Sequence, residues 1–149
     1  MCTIRIVSRR SRLVNREELQ SIVSSRFRPS TLSSEPLPLA EWQALEAHFG
    51  CQLPPELYDI RVLSTRYEIQ GDHLPIEEIR LNYDWELRNN PNWTEDFIPF
   101  YAVGNGDYLC VRRSEGAQSG VYYVAHDDPD TQRLHTSVAD YIHDAEWFS

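Results

Sequence analysis

Apolar residues recur at helical spacing near the start of the chain, directly after a residue that can cap a helix. Leu19, Ile22 and Val23 form an apolar stripe, and Asn15 precedes them at the position of an N-terminal cap. The spacing predicts a helix over about residues 15–26, followed by a linker rich in proline and serine.

The same periodicity predicts three more helices in the middle of the chain. One begins near Leu39 and ends at Gly50, because glycine readily adopts the left-handed backbone that terminates a helix. A short helix begins at Pro55, since proline is tolerated in a first helical turn. The third has apolar residues at helical spacing: Ile76, Ile79, Tyr83 and Leu87.

The end of the chain carries the clearest helical pattern. Ser137 and Asp140 have the spacing of a capping box, in which a serine side chain accepts a hydrogen bond at the start of a helix. The apolar residues that follow share one helical face: Val138, Tyr141, Ile142 and Ala145. Trp147 also falls on this helix, and we expect it in the core.

Alternation and short apolar runs predict strands in the second half of the chain. Residues 98–103, 108–111 and 121–125 have such patterns, and a further short strand is predicted at residues 67–69. Gly104–Asp107 joins the first two strands with residues that readily take a positive φ. It therefore predicts a hairpin turn, because the glycines of a phosphate-binding loop lead from a strand into a helix.

Charge divides the chain into two unequal parts. The chain contains no lysine, and residues 1–28 hold seven arginines against two acids, a net charge of 7 − 2 = +5. Residues 29–149 hold the other seven arginines against twenty-one acids, a net charge of 7 − 21 = −14. An acidic body repels nucleic acid, whose binding depends on cationic contacts to phosphate, and attracts a basic protein. Solubility alone is the alternative explanation of the charge.

Cysteine content and hydropathy indicate a cytoplasmic protein. The three cysteines, Cys2, Cys51 and Cys110, cannot all pair and lack metal-ligand spacing, as expected of a reduced compartment. No run approaches the roughly 20 apolar residues of a membrane span. No hydrophobic segment follows the basic start, as a signal peptide would require.

Candidate chemistry is confined to the segment His126–Asp130. One histidine and three aspartates could hold a divalent ion, but their spacing matches no calcium loop, and Pro129 suits a turn. An acidic, solvated turn is therefore the favoured interpretation, with a metal-dependent hydrolase as the alternative. Asp107 is expected to accept backbone hydrogen bonds at its turn, and Cys110 to be packed within a strand. We predict no catalytic residues, no metal and no cofactor.

Four stretches, in this order, resemble the SUKH superfamily, also called Smi/Knr-like. They read WQALEAHFGCQLPPEL at 42–57, IPFYAVGNGDYLCV at 98–111, GVYYVAHDD at 120–128 and TSVADYI at 136–142. The family pattern has a helix that ends in glycine before leucine-proline and a strand with isoleucine-proline-phenylalanine before a glycine-aspartate turn. A tyrosine-rich strand ending near histidine-aspartate and a closing helix opened by serine complete it. The resemblance covers roughly residues 39–145.

The resemblance implies a single α+β domain with a mainly antiparallel sheet of about four to six strands packed by helices. This SUKH-like domain would occupy residues 39–149, and residues 1–38 would form a basic N-terminal extension containing a helix and a linker. The family pattern contains no catalytic residues. Residues 64–97 depart most from the pattern, because the family often has asparagine-glycine after its second helix and this chain has VLSTRYEIQGD.

For function, the resemblance implies an immunity protein that binds and neutralises a cognate bacterial toxin, often a nuclease. The alternative is a regulatory scaffold domain that binds a signalling or cell-wall-related protein without catalysis. We expect a basic toxin protein as partner, and neither nucleic acid nor a membrane. Predicted exposure and charge select the partner-binding residues: Glu77, Glu78, Asp84, Glu95, Asp96, Asp127, Asp128 and Asp130, with Trp93 as an apolar anchor. For Trp93, its place in a polar loop favours folding back onto the core, and the exposed anchor is the alternative.

Overall fold

The computed structural model describes residues 14–31, 38–69 and 71–144, which form an α+β fold. Four helices come first: α1 Arg16–Arg26, α2 Leu39–Phe49, α3 Pro55–Leu63 and α4 Ile76–Asn89. The strands are β1 Phe97–Ala102, β2 Tyr108–Arg112, β3 Val121–Val124 and β4 Gln132–His135, with a 3-10 segment, Arg113–Gln118, after β2. The helix α5, Val138–Asp144, closes the described part of the chain. The predicted positions of Ala145 and Trp147 lie outside the described residues.

The helices begin and end where the sequence places their caps. The Asn15 side chain accepts a hydrogen bond from the Glu18 amide at 2.8 Å, and the Ser137 hydroxyl accepts one from the Asp140 amide at 3.0 Å. Gly50 ends α2 with φ of 69° and donates its N–H to the Glu46 carbonyl at 2.9 Å. These bonds satisfy backbone groups that a helix end leaves without intrahelical partners.

The strands form one antiparallel sheet in the order β1-β2-β3-β4. Gly104–Asp107 connects β1 to β2 as a hairpin turn, and both of its glycines have positive φ. Strand β4 was not predicted, because QRLH is polar and three of its four residues are exposed. Its place in the sheet depends on pairing with β3 rather than on an apolar pattern of its own.

The predicted strand at residues 67–69 is wrong. Tyr67 makes only an isolated bridge with Pro29, and a second isolated bridge joins His73 to Tyr101. These single bridges do not extend into a ladder of strand hydrogen bonds. The apolar residues of the segment instead pack against the side of the core. Tyr67 and Ile69 are partly buried there.

The helix of the predicted N-terminal extension packs into the same core as the rest of the chain. Leu19 and Val23 of α1 are fully buried, and α1 lies against α3. The Val14 amide donates a hydrogen bond to the buried Glu56 carboxylate at 3.3 Å, and Arg16 pairs with Asp59 at 2.9 Å. Helix α1 and the residue before it are therefore packed as part of the same core.

Helix α4 differs from the prediction in the inward position of its last turn. Its buried positions include Ile79 and Tyr83, as predicted, but the next one is Glu86, and Leu87 is 39% exposed. A buried carboxylate is tolerated here because it is hydrogen-bonded: Glu86 accepts from the Asn90 amide group at 3.1 Å and from the Tyr108 hydroxyl at 3.3 Å. The prediction for Leu87 fails because the pattern assumed an apolar residue at every inward position. No helix of the described residues is long and apolar enough to cross a membrane.

Replacing Gly50 with alanine is expected to lower the free energy of unfolding by about 1–2 kcal/mol, because a Cβ atom is strained in left-handed backbone. Urea denaturation measures the loss. Gly50→Asn is the matched control, since asparagine tolerates this conformation better. An added Cβ would meet only the Arg113 side chain, at 3.6 Å, which is ordinary contact. Equal losses in the two variants would contradict the backbone explanation.

Candidate functional site

The outward face of α4 brings together acidic and apolar side chains. Because Ile79 and Tyr83 point into the core, the opposite side of the helix faces solvent. Leu81 and Trp85 lie one turn apart on that side and are 64% and 55% exposed. They are among the most exposed large apolar side chains of the described residues, and they stand among the predicted acidic residues.

The acidic residues of α4 lie around this apolar pair. Glu77 and Glu78 are exposed, as predicted, and Asp84 is half-buried. Helix α2 runs beside α4, and the two helices enclose an open groove of about 470 Å³. Its walls hold three carboxylates and one guanidinium. The lining residues are Glu41, Ala44, Leu45, Ile76, Glu77, Arg80, Leu81 and Asp84.

Trp93 is not an exposed anchor, and that prediction is corrected. Its side chain is 5% exposed and packs edge-on against Phe97 and Tyr108, with ring centroids 6.0 and 5.5 Å away. The loop folds back onto the core, as the loop position of Trp93 favours. Among the tryptophans that the structure describes, the exposed one is Trp85, which sequence reasoning missed. The sequence did contain a signal for it: Leu81 and Trp85 have i, i+4 spacing and lie on a different helical face from Ile79 and Tyr83.

Glu95 and Asp96 follow α4 and differ in their surroundings. The Glu95 side chain is exposed, while its backbone carbonyl accepts a hydrogen bond from Tyr83 at 2.7 Å. The Asp96 carboxylate is half-buried; it pairs with Arg112 at 3.3 Å and accepts from the amide and hydroxyl of Ser114 at 2.7 and 2.9 Å. Asp96 thus joins the start of β1 to the 3-10 segment. Its role in partner binding stays a prediction.

Asp107 forms a hydrogen-bonded lock between two turns at one end of the sheet. Its Oδ1 accepts from the backbone amide of His126 at 2.9 Å and lies 2.7 Å from Nδ1 of that ring, while Oδ2 accepts from the Tyr123 hydroxyl. Gly106 lets the hairpin turn approach, because a Cβ there would lie 3.2 Å from the His126 ring. The sequence predicted backbone hydrogen bonds within the Asp107 turn, whereas the observed backbone donor is His126, nineteen residues away.

The lock shifts the pKa values of both ionisable partners. Burial raises the pKa of Asp107, but hydrogen bonds from Tyr123 and His126 lower it more strongly, to about 2. The hydrogen bond to Asp107 raises the pKa of His126, and the nearby negative charge of Asp127 adds to that effect. The arrangement therefore favours a charged Asp107–His126 pair.

The turn held by this lock presents the second group of predicted acids. Asp127, Asp128 and Asp130 are exposed, and the Asp128 side chain accepts a hydrogen bond from the Asp130 amide at 2.9 Å. Ligand atoms of Asp107, His126 and Asp127 lie within 4.8 Å of one another, close enough for one cation. Both Asp107 oxygens already accept hydrogen bonds, so the geometry accounts for the cluster as a lock.

Of two buried groups in this region, the sequence predicted one and not the other. Cys110 is fully buried, and burial followed by the charge of Glu86 raises the pKa of its thiol, in keeping with the predicted packing role. The sequence did not mark Glu86 as a buried residue. Burial of Tyr108 and the negative charge of Glu86 together raise the pKa of Tyr108 to about 12. A glutamate at an inward helical position carries no sign in the sequence that it will be buried.

Comparison with known proteins gives one family. The model of the SMI1 / KNR4 family (SUKH-1) matches residues 36–144, which is most of the chain. The matched region contains the four stretches on which the resemblance was based, and the expected family is confirmed. Among curated proteins, none matches the chain.

Replacing Asp107 with asparagine should flatten the dependence of stability on pH at both ends. The native pKa of Asp107 is depressed, so its stabilisation is present above its ordinary value of 3.8 and is lost as the pH falls toward about 2. The native pKa of His126 is raised, so its stabilisation is present below its ordinary 6.5 and is lost as the pH rises through the raised value. Thermal unfolding between pH 2 and 9 measures both changes.

His126→Gln is the matched control, since it should remove the change above pH 6.5 and leave most of the acidic one. At pH 6, Asp107→Asn should cost about 1–3 kcal/mol, because charge-assisted hydrogen bonds to Tyr123 and His126 are weakened. If the two variants followed the wild-type pH profile, the lock would not stabilise the folded protein.

Proposed function

The chain belongs to the SMI1 / KNR4 family (SUKH-1), and we propose that it is an immunity protein that binds and neutralises a cognate bacterial toxin. One observation carries the proposal beyond the family. The α4 face exposes Leu81 and Trp85 among carboxylates, as a surface that recognises another protein does. Domains of this family act by binding, as immunity proteins or scaffolds.

The charge of the chain supports a basic partner. Residues 29–149 have a net charge of 7 − 21 = −14, and Glu77, Glu78, Asp127, Asp128 and Asp130 are exposed. Complementary charge steers a basic protein toward these exposed carboxylates and can speed association by roughly 10- to 1,000-fold at low salt. A nuclease fits this chemistry, because carboxylates can occupy the cationic cleft that otherwise receives phosphate. Nucleic acid itself would be repelled.

Binding also accounts for the ionisable groups better than catalysis does. The Asp107–His126 pair resembles half of a catalytic triad, but its hydrogen bonds join two turns of the sheet, and a triad also requires a nucleophile at the other ring nitrogen of the histidine. Cys110 is fully buried, and the raised pKa of its thiol makes it a poor nucleophile. We propose a non-catalytic inhibitor that acts in the cytoplasm, where an intoxicated cell would need it.

Co-expression with the product of the adjacent upstream gene is expected to protect the host and to yield a stable complex. Growth of the co-expressing strain and co-purification of the pair are the two measurements. A strain that expresses the same gene with an unrelated acidic protein is the control. Death of the host without a complex would contradict the proposal for that gene pair. Binding of a signalling or cell-wall protein instead would favour the scaffold function.

Reversing Asp127 and Asp128 to lysine should slow association with the toxin and weaken its dependence on salt. Both side chains are exposed, so the loss of the hydrogen bond between Asp128 and the Asp130 amide should stay confined to the turn, and the melting temperature checks this. Surface plasmon resonance at several salt concentrations gives the association rates. The matched control reverses Glu17 and Glu18, which lie on α1, within the segment that precedes the acidic body. Unchanged kinetics would remove the turn from the interface.

A further inference from the structure

The groove between α2 and α4 has an apolar floor that continues onto an exposed apolar ridge. Ala44 and Leu45 contribute from α2, and Ile76 and Leu81 contribute from α4. Trp85 extends the apolar surface one turn beyond Leu81 along the same helix. The groove volume of about 470 Å³ falls within the ~300–1,000 Å³ of typical binding clefts. A partner that covered this surface would bury an indole ring, which is a frequent source of binding energy.

The charged residues around the groove determine which net charge a partner should carry. Glu41, Glu77 and Asp84 line it with a single opposing guanidinium, Arg80. A second copy that bound through the same groove would bring the same acidic rim against itself, and like charges brought together across an interface cost free energy. A basic segment would pair with the three carboxylates. Charge complementarity therefore favours a basic partner over self-association.

The walls of the groove select the conformation of the partner segment. Both walls are α-helices, whose backbone hydrogen bonds are internal, so the groove has no strand edge with which an extended peptide could pair. A helix needs no backbone partner, and its side-chain ridge can fit between two helices. The apolar floor then receives one face of that helix, while basic residues on its flanks reach the carboxylates.

We propose that the α2–α4 groove, together with Trp85 beside it, binds a basic, amphipathic helix of the partner protein, with Leu81 and Trp85 as the exposed apolar contacts. The identity of that partner as a toxin rests on the proposed function; the chemistry of the groove does not. The helix would present apolar residues at i, i+3, i+4 and i+7 and arginine or lysine beside them.

A synthetic peptide of about 18 residues tests the groove directly, a length at which an isolated helix can form. The probe carries leucines at helical spacing and arginines elsewhere, and a scrambled peptide of the same composition has no apolar face. Fluorescence anisotropy with the full chain should give an affinity about tenfold or more higher for the amphipathic peptide. Equal affinities for the two peptides would overturn the proposal, because they would indicate attraction by charge alone.

Variants of the full chain then locate the binding. Leu81→Ala with Trp85→Ala should weaken binding of the amphipathic peptide about 10- to 30-fold. Leu134→Ala is the control, because Leu134 is also an exposed apolar residue but lies on β4. The double variant Glu77→Gln with Asp84→Asn should lower the affinity for the amphipathic peptide more than the double variant Asp128→Asn with Asp130→Asn does. Circular dichroism checks that each variant is folded. If L81A/W85A bound as tightly as L134A, the groove would not be the site.

The co-expression assay separates failure of the groove from failure of the proposed function. If wild type and L134A protect the host and L81A/W85A does not, the toxin uses this groove. If all three protect equally, the immunity function stands and the groove proposal is overturned for the toxin. Light scattering tests whether the surface is instead an interface between two copies of this chain. A wild-type dimer that the L81A/W85A variant converts to a monomer, together with no preference for the amphipathic peptide, would show such an interface and overturn the proposal.

Discussion

The hairpin of β1 and β2 must be covered on both faces, and most of the remaining structure follows from that requirement. Phe97–Phe100 and Tyr108–Val111 are each four consecutive buried residues, so neither strand has a solvent-facing side over that length. Trp93 packs on Phe97 and Tyr108, and Tyr141 of α5 packs edge-on against Phe100. The short segments that flank the hairpin are therefore held by burial, which is the dominant favourable contribution to folding.

The same requirement orients α4 and, through it, the candidate binding surface. Tyr83 packs against Phe49 of α2, and Glu86 reaches Tyr108 of β2. With those positions turned inward, Leu81 and Trp85 face outward beside the groove. Exposed leucine and tryptophan side chains that lie side by side are a feature of surfaces that bind other proteins, and the proposed binding surface rests on this pair. Core packing and the position of the proposed binding surface thus depend on the orientation of one helix about its axis.

Asp107 has a comparable role at the other end of the hairpin. It connects the Gly104–Asp107 turn to His126 and Tyr123, and so holds the start of the acidic β3–β4 turn next to the first turn. A histidine and aspartates close together would suggest catalysis or a metal if they were considered alone. Both carboxylate oxygens of Asp107 accept hydrogen bonds that join the two turns, and its depressed pKa has this structural cause.

The sequence by itself determined the helix ends, the β1–β2 turn and the family, because these depend on contacts within a few residues or on short motifs in order. Asn15, Gly50 and Ser137 cap helices through bonds to residues three or four positions away. Tertiary structure alone decided that Trp93 is buried and Trp85 exposed, that Glu86 replaces Leu87 at an inward position, and that QRLH forms β4. Each of those outcomes depends on a helix rotation or a strand pairing set by residues distant in the chain, and local hydrophobic patterns carry no information about such partners.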